Sequence, residues 1–321
     1  MTIEQIQTIN IKGWGQQLRH NGMGLIGLIM LLTAIFVALL APWLAPYDPK
    51  APVRVTLDNI YARPSAEHLL GTDDAGKDVL SNFIYGARVS LLIAFVASFI
   101  SIVIGGVVGL VAGFYGGRIE NLLMRFTDIL LVIPDLPLMI VIIAVTKPSL
   151  VNIILVIGIL YWTGTARVVR SQTLAVKERK FVLRARAIGA GNLHIIRRHI
   201  FPLVLPIMVV NAVLAISSAV VLESALAFLG LGDPTTISWG QMLNFAFYRG
   251  AMSSGAWWAL IMPGFGIVWV ALGCILLGQG LERIFNPRLN VHHLAVGSKM
   301  VVRRKPAAEP DKRLPAPETA T

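Results

Sequence analysis

Long uncharged runs dominate the hydropathy pattern of this 321-residue chain. Five of the runs contain no charged residue, and a sixth is interrupted only by Asp135. A helix that crosses a bilayer needs about 20 mostly apolar residues. The pattern therefore predicts an all-α polytopic membrane protein with six transmembrane helices, which the runs place at 23–43, 89–115, 129–145, 150–166, 201–222 and 256–280.

The composition supports a membrane protein over an ordinary soluble enzyme. Apolar residues make up 55% of the chain and charged residues only 14%, whereas soluble domains average about 25% charged residues. The single cysteine, Cys274, excludes an intramolecular disulfide and a cysteine-cluster metal site, and we expect no bound metal. The first apolar run is longer than the core of a signal peptide, so we expect it to remain as an uncleaved helix.

The distribution of basic residues predicts the orientation in the membrane. An N-terminus in the cytoplasm places 21 of the 28 Lys and Arg residues in cytoplasmic segments. Basic residues prefer that side, so we expect both termini to be cytoplasmic in a multi-pass protein of the plasma or inner membrane. The net charge of +11 then faces the anionic lipid surface, and we do not expect a nucleic-acid partner.

The spans divide the chain into four regions. Residues 1–22 form a cytoplasmic segment, and 23–88 contain the first span and a long extracytoplasmic loop. Residues 89–289 form a five-helix core that includes a cytoplasmic loop at 167–200. Residues 290–321 are rich in Pro, Ala and charge, which is typical of disorder.

One stretch resembles a phosphate-binding loop but lacks its key features. The sequence GTDDAGKD supplies Gly71, Gly76 and Lys77, but Asp78 stands where Ser or Thr should hold magnesium. No apolar strand precedes it, although a working loop of this kind joins a strand to a helix. We therefore expect no nucleotide, magnesium or other cofactor on this chain, and no ATPase activity.

Glycines recur every four residues in the second span, at Gly105, Gly109 and Gly113. This spacing places them on one helix face, where the backbone of another helix can approach closely. We interpret them as helix-packing residues.

Three acidic residues lie in or near the spans, at Asp128, Asp135 and Glu223. A carboxylate is costly inside a bilayer unless it meets water or a partner, so all three are candidates for the translocation pathway. A structural hydrogen bond or a contact between subunits remains an alternative. Asp135 lies between Pro134 and Pro137, which predicts a kink in the third span.

The cytoplasmic loop is strongly basic and predicts two short helices. They cover approximately Lys177–Ile188 and Asn192–Ile200, with a break at Gly189 and Gly191 and a stop near Pro202. An apolar stripe on the first helix is formed by Phe181, Ala185 and Ile188. From the residues alone, such helices either lie on the membrane surface or dock into a groove of a partner.

Several blocks together resemble the C-type permease subunit of the bacterial dipeptide, oligopeptide and nickel ABC importers. The similarity runs from about residue 44 to 289. The matching blocks are LAPYDP at 44–49, PSAEHLLGTDDAGKDVLSNFIYGARVSLL at 64–92, ESALAFLGLG at 223–232, SWGQML at 238–243, WW at 257–258, PG at 263–264 and NPRL at 286–289.

This resemblance implies the type I importer (MetI-like) permease fold and a set of partners. They are a homologous second permease that completes a heterodimer, two ATPase subunits that bind ATP and magnesium, and an extracytoplasmic solute-binding protein. The chain would form half of the translocation pathway for peptides or a related small solute. The outer loops would face the binding protein through Gly71, Thr72, Asp73, Gly76, Asp78, Trp239 and Gly240.

The resemblance also implies that the cytoplasmic loop docks on the ATPase. The residues concerned are Phe181, Arg184, Ala185, Ile188, Gly189, Asn192 and Pro202. The family signature begins Glu-Ala-Ala, but Leu183 and Arg184 occupy its first two positions here. Either Arg184 meets an acidic residue of the ATPase, or the second permease carries the stronger docking site.

Two other functions remain as alternatives: an ion-coupled secondary transporter and a membrane scaffold without transport. A secondary transporter would show inverted repeats and charged residues at the midplane, and we find no such repeat. The sequence leaves the transported solute open among dipeptides, oligopeptides, nickel chelates, glutathione and sugars.

Overall fold

A computed structural model describes residues 21–285, which are mostly helical. The expected tail at 290–321 and nearly all of the expected segment 1–22 lie outside the described residues. The α-helices are α1 (Gly22–Leu39), α2 (Ala41–Leu44), α3 (Val79–Tyr115), α4 (Gly117–Val132), α5 (Asp135–Thr146), α6 (Leu150–Leu160), α7 (Thr163–Lys177), α8 (Lys180–Ala187), α9 (Asn192–Ile195), α10 (Phe201–Leu226), α11 (Trp239–Tyr248) and α12 (Trp258–Phe285). Two π-helical segments, Ile196–Ile200 and Ala227–Leu231, flank α10.

Five helical segments between residues 21 and 285 are long and apolar enough to cross a membrane, and a bent pair of helices makes a sixth. They are α1, α3, the segment 150–177, the segment 192–231 and α12, with α4 and α5 as the bent pair. The expectation of an all-α polytopic membrane protein is confirmed.

The central helix, α3, begins earlier than the hydropathy pattern predicts. It starts at Val79, ten residues before the expected start of the second span, so the expected outer loop ends at Asp78. The Asp78 carboxylate accepts a 2.8 Å hydrogen bond from the Ser81 backbone N–H and caps the first turn. A span prediction from uncharged runs misses this start because Arg88 lies within the helix.

The third span is two helices that meet where the prolines beside Asp135 predict a kink, but the first of them begins at Gly117, earlier than the expected start at 129. The axes of α4 and α5 differ in direction by 85°. Ile133 has an extended backbone (φ −82°, ψ 124°), as is favoured for a residue before proline. Pro137 is tolerated because it lies in the first turn of α5.

The loop predicted at 167–200 is shorter than expected at both ends. After a turn at Tyr161–Trp162, α7 continues to Lys177, because basic residues extend a helix as well as apolar ones do. On the other side, α9 runs through the π-helical segment into α10, so no stop occurs at Pro202. The Phe201 N–H bonds to the Ile196 carbonyl in the wider π geometry, immediately before the proline that lacks an N–H.

The helices pack around α3, which contacts α6, α7 and α10, while α1 lies along α12. The predicted glycine face of α3 meets α7. A Cβ atom on Gly105 would lie 2.6 Å from the Trp162 carbonyl oxygen, and one on Gly109 would lie 2.5 Å from that of Ala166. On Gly113 it would lie 2.7 Å from the Thr173 Cβ. The two backbones therefore approach closely only because these positions have no side chain.

Candidate coupling surface and translocation pathway

The break between α8 and α9 is a glycine in the left-handed region. Gly189 has φ +85°, its N–H donates to the Arg186 carbonyl (3.0 Å), and the Ala190 N–H donates to the Ala185 carbonyl (3.0 Å). These two bonds form a Schellman motif, which ends α8. No atom lies within 4 Å of the position that a Cβ on Gly189 would occupy, so backbone conformation alone selects glycine there.

One face of α8 is built into the chain's own core. Val182 and Ala185 are buried with Ile195 in an apolar cluster that includes residues of α3, α7 and α10, and Phe181 packs against it. The expectation that Phe181, Ala185 and Ile188 form one docking stripe is therefore wrong. Positions 181 and 185 turn inward, while Ile188 lies beyond the end of the helix and points outward.

Other positions on α8, on α9 and between them expose apolar side chains among basic ones. Ile188 is 85% exposed and Leu193 is 66% exposed. Leu183, Arg184 and Asn192 are exposed as well. We call these five residues (Leu183, Arg184, Ile188, Asn192 and Leu193) the coupling surface.

Asp128, the first candidate acid, forms a surface ion pair. Its carboxylate accepts a 2.6 Å hydrogen bond from Arg167 Nη2 of α7, and both side chains are more than half exposed. An exposed pair of this kind contributes about 1 kcal/mol or less. Its position ties α4 to α7, and a second pair, Glu120–Arg170, links the same two helices.

Asp135 lies at the first turn of α5, directly after the bend, and is partly exposed. Several apolar residues of α4 and α5 are exposed too, including Phe126, Ile129, Val132 and Val141. The described part of the chain therefore leaves this face uncovered.

Glu223 does not line an open pathway, because it is only 1% exposed. Its carboxylate accepts hydrogen bonds from Ser90 Oγ (3.2 Å) and Ser224 Oγ (3.3 Å). Ser90 Oγ in turn accepts from the Trp239 backbone N–H (3.1 Å). The residue thus joins α3, α10 and α11 internally, which corrects its interpretation as a pathway residue in this conformation. Sequence reasoning missed Ser90, which lies 133 positions away.

Most outer-loop residues that were expected to face a binding protein are buried. Thr72 is fully buried; its hydroxyl donates to the Asn59 carbonyl (2.6 Å) and accepts from the Ala62 N–H (2.8 Å). The Trp239 indole N–H donates to the Phe83 carbonyl (2.9 Å). Gly71, Gly76, Asp78 and Gly240 are buried as well. These residues support the loops from inside and are not exposed on their surface. This corrects the expectation that they contact a binding protein directly.

Asp73 is partly buried, and its carboxylate organises the loop before α3. It accepts hydrogen bonds from the N–H groups of Ala75 (2.9 Å) and Lys77 (2.8 Å) and from the Asn82 amide (3.0 Å). Burial raises the pKa of Asp73 above its usual value, while the two backbone N–H groups oppose that shift.

A carboxylate that sequence reasoning missed, Asp233, connects the outer loops. It accepts a 2.9 Å hydrogen bond from the Leu150 N–H at the start of α6. Slight burial raises the pKa of Asp233, but the hydrogen bonds from Thr235 and Leu150 outweigh that effect and hold the pKa below its usual value. The exposed apolar side chains of the loops expected to be extracytoplasmic include Leu69, Tyr248 and Met252.

No group of three or more His, Cys, Asp or Glu side chains within 21–285 is arranged to hold a metal ion. Within the described residues, the arrangement is that of a helical membrane protein with a projection formed by α8 and α9 and an uncovered bent helix pair.

Comparisons with known proteins agree with this geometry. A family model described as the inner membrane component of binding-protein-dependent transport systems matches residues 105–291, more than half of the chain. A second, the N-terminal transmembrane domain of oligopeptide transport permease C, matches residues 13–64.

Relatives match over nearly their whole length. The di/tripeptide transport system permease protein DppC of Pseudomonas aeruginosa is 38% identical over 286 residues, which are 87% of this chain and 92% of that protein. The dipeptide transport system permease protein DppC of Bacillus subtilis is 36% identical over 275 residues, or 85% and 84% of the two chains. Permeases of this family work with ATPase and binding-protein partners. The chain therefore belongs to the family of inner membrane components of binding-protein-dependent transport systems, and it is a multi-pass permease subunit of an ABC importer.

Proposed function

We propose that this chain forms half of the translocation pathway of a peptide importer. In this proposal it pairs with a homologous second permease, two separate ATPase subunits bind and hydrolyse ATP with magnesium, and an extracytoplasmic binding protein delivers a dipeptide or a short peptide. The names of the relatives support the peptide cargo. This chain itself binds no nucleotide and hydrolyses none.

The coupling surface is the observation that carries the proposal. Its exposed apolar residues lie on α8, on α9 and between them, and both helices are fixed to α3, α7 and α10 through the buried Val182, Ala185 and Ile195. A force applied to this projection is therefore transmitted to the spans themselves. Closure of the ATPase pair would move this projection and the corresponding one of the second permease. The inward-open and outward-open conformations would have different affinities for ATP, and that difference would drive the change.

The bent helix pair supports pairing with a second permease. The outward face of α4 combines exposed Phe126 and Ile129 with exposed Arg125 and Asp128. A face that mixes charged and apolar groups suits a protein partner better than lipid tails. We propose that the second permease covers this face and that the pathway runs between the two subunits beside Asp135.

ATP-dependent uptake in proteoliposomes tests this function. The chain is reconstituted with its cognate permease, ATPases and binding protein, and labelled dipeptide inside the vesicles is measured. We expect uptake with ATP and loaded binding protein. An ion gradient without ATP should give none, and uptake under that condition would support a secondary transporter.

The orientation yields a separate prediction. We expect topology reporters inserted after Ser65 or Gly250 to be extracytoplasmic, and reporters after Arg179 or Arg304 to be cytoplasmic, because this arrangement places most basic residues inside. Paired phosphatase and fluorescent-protein fusions measure both sides. An extracytoplasmic reporter after Arg179 would contradict the assignment of the coupling surface.

A further inference from the structure

A cavity of about 420 Å³ lies between the loop that precedes α3 and the segment formed by residues 234–237 and α11. Its volume is within the range of about 300–1,000 Å³ that is usual for small-molecule sites. Neither the coupling surface nor the candidate pathway acids line it.

The two walls of the cavity are fastened to each other. The Arg249 guanidinium pairs with the Asp74 carboxylate across the opening and lies 4.1 Å from the centre of the Phe245 ring. The Tyr61 hydroxyl donates to the Arg249 carbonyl (3.2 Å). Burial, with the Asp74 and Asp73 carboxylates nearby, raises the pKa of Tyr61 to about 12, so this hydroxyl is a neutral donor at physiological pH. The cavity is preformed.

One side of the cavity is apolar. It is lined by Val79, Met242, Phe245, Ala246 and Ala259, and all of these except Phe245 belong to or pack against one apolar cluster at this end of the molecule. A ligand with an aliphatic side chain would exclude water from this surface.

The polar side offers one anion and one cation that are not paired with each other. The three hydrogen-bond donors to Asp73 are uncharged groups. Lys77 Nζ donates to the Pro49 carbonyl (2.7 Å), which leaves two of its three donors for other groups. Neither side chain takes part in any of the ion pairs found among residues 21–285.

We propose that this cavity binds a small zwitterion, a free amino acid or a dipeptide, whose ammonium group pairs with Asp73 and whose carboxylate pairs with Lys77. The ligand's side chain contacts the apolar wall. Because both carboxylates and cationic side chains line the cavity, a ligand that carries both charges can pair with Asp73 and with Lys77, whereas a ligand with a single charge can pair with only one of them. The inference does not depend on which solute the importer carries.

Isothermal titration calorimetry on the purified permease–ATPase complex, without binding protein or ATP, tests the site. The probes are L-leucine and L-alanyl-L-alanine, and N-acetyl-L-leucine amide is the blocked control without charges. We expect at least one zwitterion to bind and the blocked compound not to bind. Loss of a charge-assisted hydrogen bond should weaken binding about tenfold or more in Lys77→Met and in Asp73→Asn.

Matched variants separate the site from general damage. Asp73→Asn changes a side chain that organises the loop, whereas Lys77→Met preserves the backbone N–H that bonds to Asp73. Lys147→Met removes an outer lysine that does not line the cavity, and binding should be unchanged. Absence of binding by both zwitterions, or binding unaffected by Lys77→Met and Asp73→Asn, would overturn the proposal. Failed peptide uptake in proteoliposomes would overturn only the proposed function.

Discussion

Replacement of Gly189 by valine is expected to reduce peptide uptake at least tenfold while the protein remains inserted and abundant. Position 189 has φ +85°, which a β-branched residue adopts only with strain. The Schellman motif would be lost, and the placement of Ile188 relative to Leu193 would change. The spans are untouched, so the effect should appear as weaker co-purification of the ATPase or as ATP hydrolysis that loaded binding protein no longer stimulates.

Gly191→Val is the matched control for this variant. Gly191 has φ −67° and ψ 153°, a conformation open to valine, and no atom lies within 4 Å of its Cβ position. The two variants add the same side chain two residues apart on the same loop, and they differ in the backbone conformation required. Equal behaviour of the two, with normal stimulation and uptake, would indicate a helix that lies on the lipid surface.

Gly109→Val is expected to destabilise the folded subunit strongly and to lower its unfolding temperature. Its Cβ would lie 2.5 Å from the Ala166 carbonyl oxygen and 2.7 Å from the Val169 Cβ, so α3 and α7 would have to separate. Overpacking of a core typically costs about 1–3 kcal/mol, and the close contact with backbone atoms puts this case at the upper end. Thermal unfolding of the detergent-purified subunit, followed by size-exclusion chromatography, measures the loss.

Gly164→Val provides the comparison on the partner helix. No atom lies within 4 Å of its Cβ position, so the folded yield should stay close to that of the unmodified chain. A Gly109→Val protein with an unchanged unfolding temperature would show that α3 and α7 do not pack closely in the membrane.

The spans and the main break points were accessible to sequence reasoning because each depends on local chemistry. Uncharged runs located the spans, the two prolines located the bend beside Asp135, and Gly189 located the end of α8. In each case the decisive property, hydropathy or backbone preference, belongs to the residues themselves.

The remaining features depend on contacts that no local pattern records. The burial of Ala185, on the inner face of α8, follows from the presence of α3, α7 and α10 behind it. The bonding of Glu223 to Ser90 follows from the packing of α10 on α3. The sequence predicts that Thr72 is an exposed loop residue, but the fold of the loop buries it completely.

The predicted boundaries of α3 and α7 were wrong for a related reason. Arg88 near the start of α3 and the basic residues at the end of α7 interrupt the uncharged runs, yet both stretches are helical. Capping by Asp78 and the helix propensity of Lys and Arg extend these helices beyond the apolar segment.

Site-specific cross-linking from the coupling surface tests the central claim most directly. A photoreactive residue at Ile188, in the assembled transporter in native membranes, is irradiated with and without ATP, and the same residue at Leu69 on the outer face serves as the comparison. The account predicts that position 188 cross-links to the ATPase subunit and position 69 does not. Cross-linking of position 188 to lipid alone, while the assembled transporter imports its solute, would contradict it.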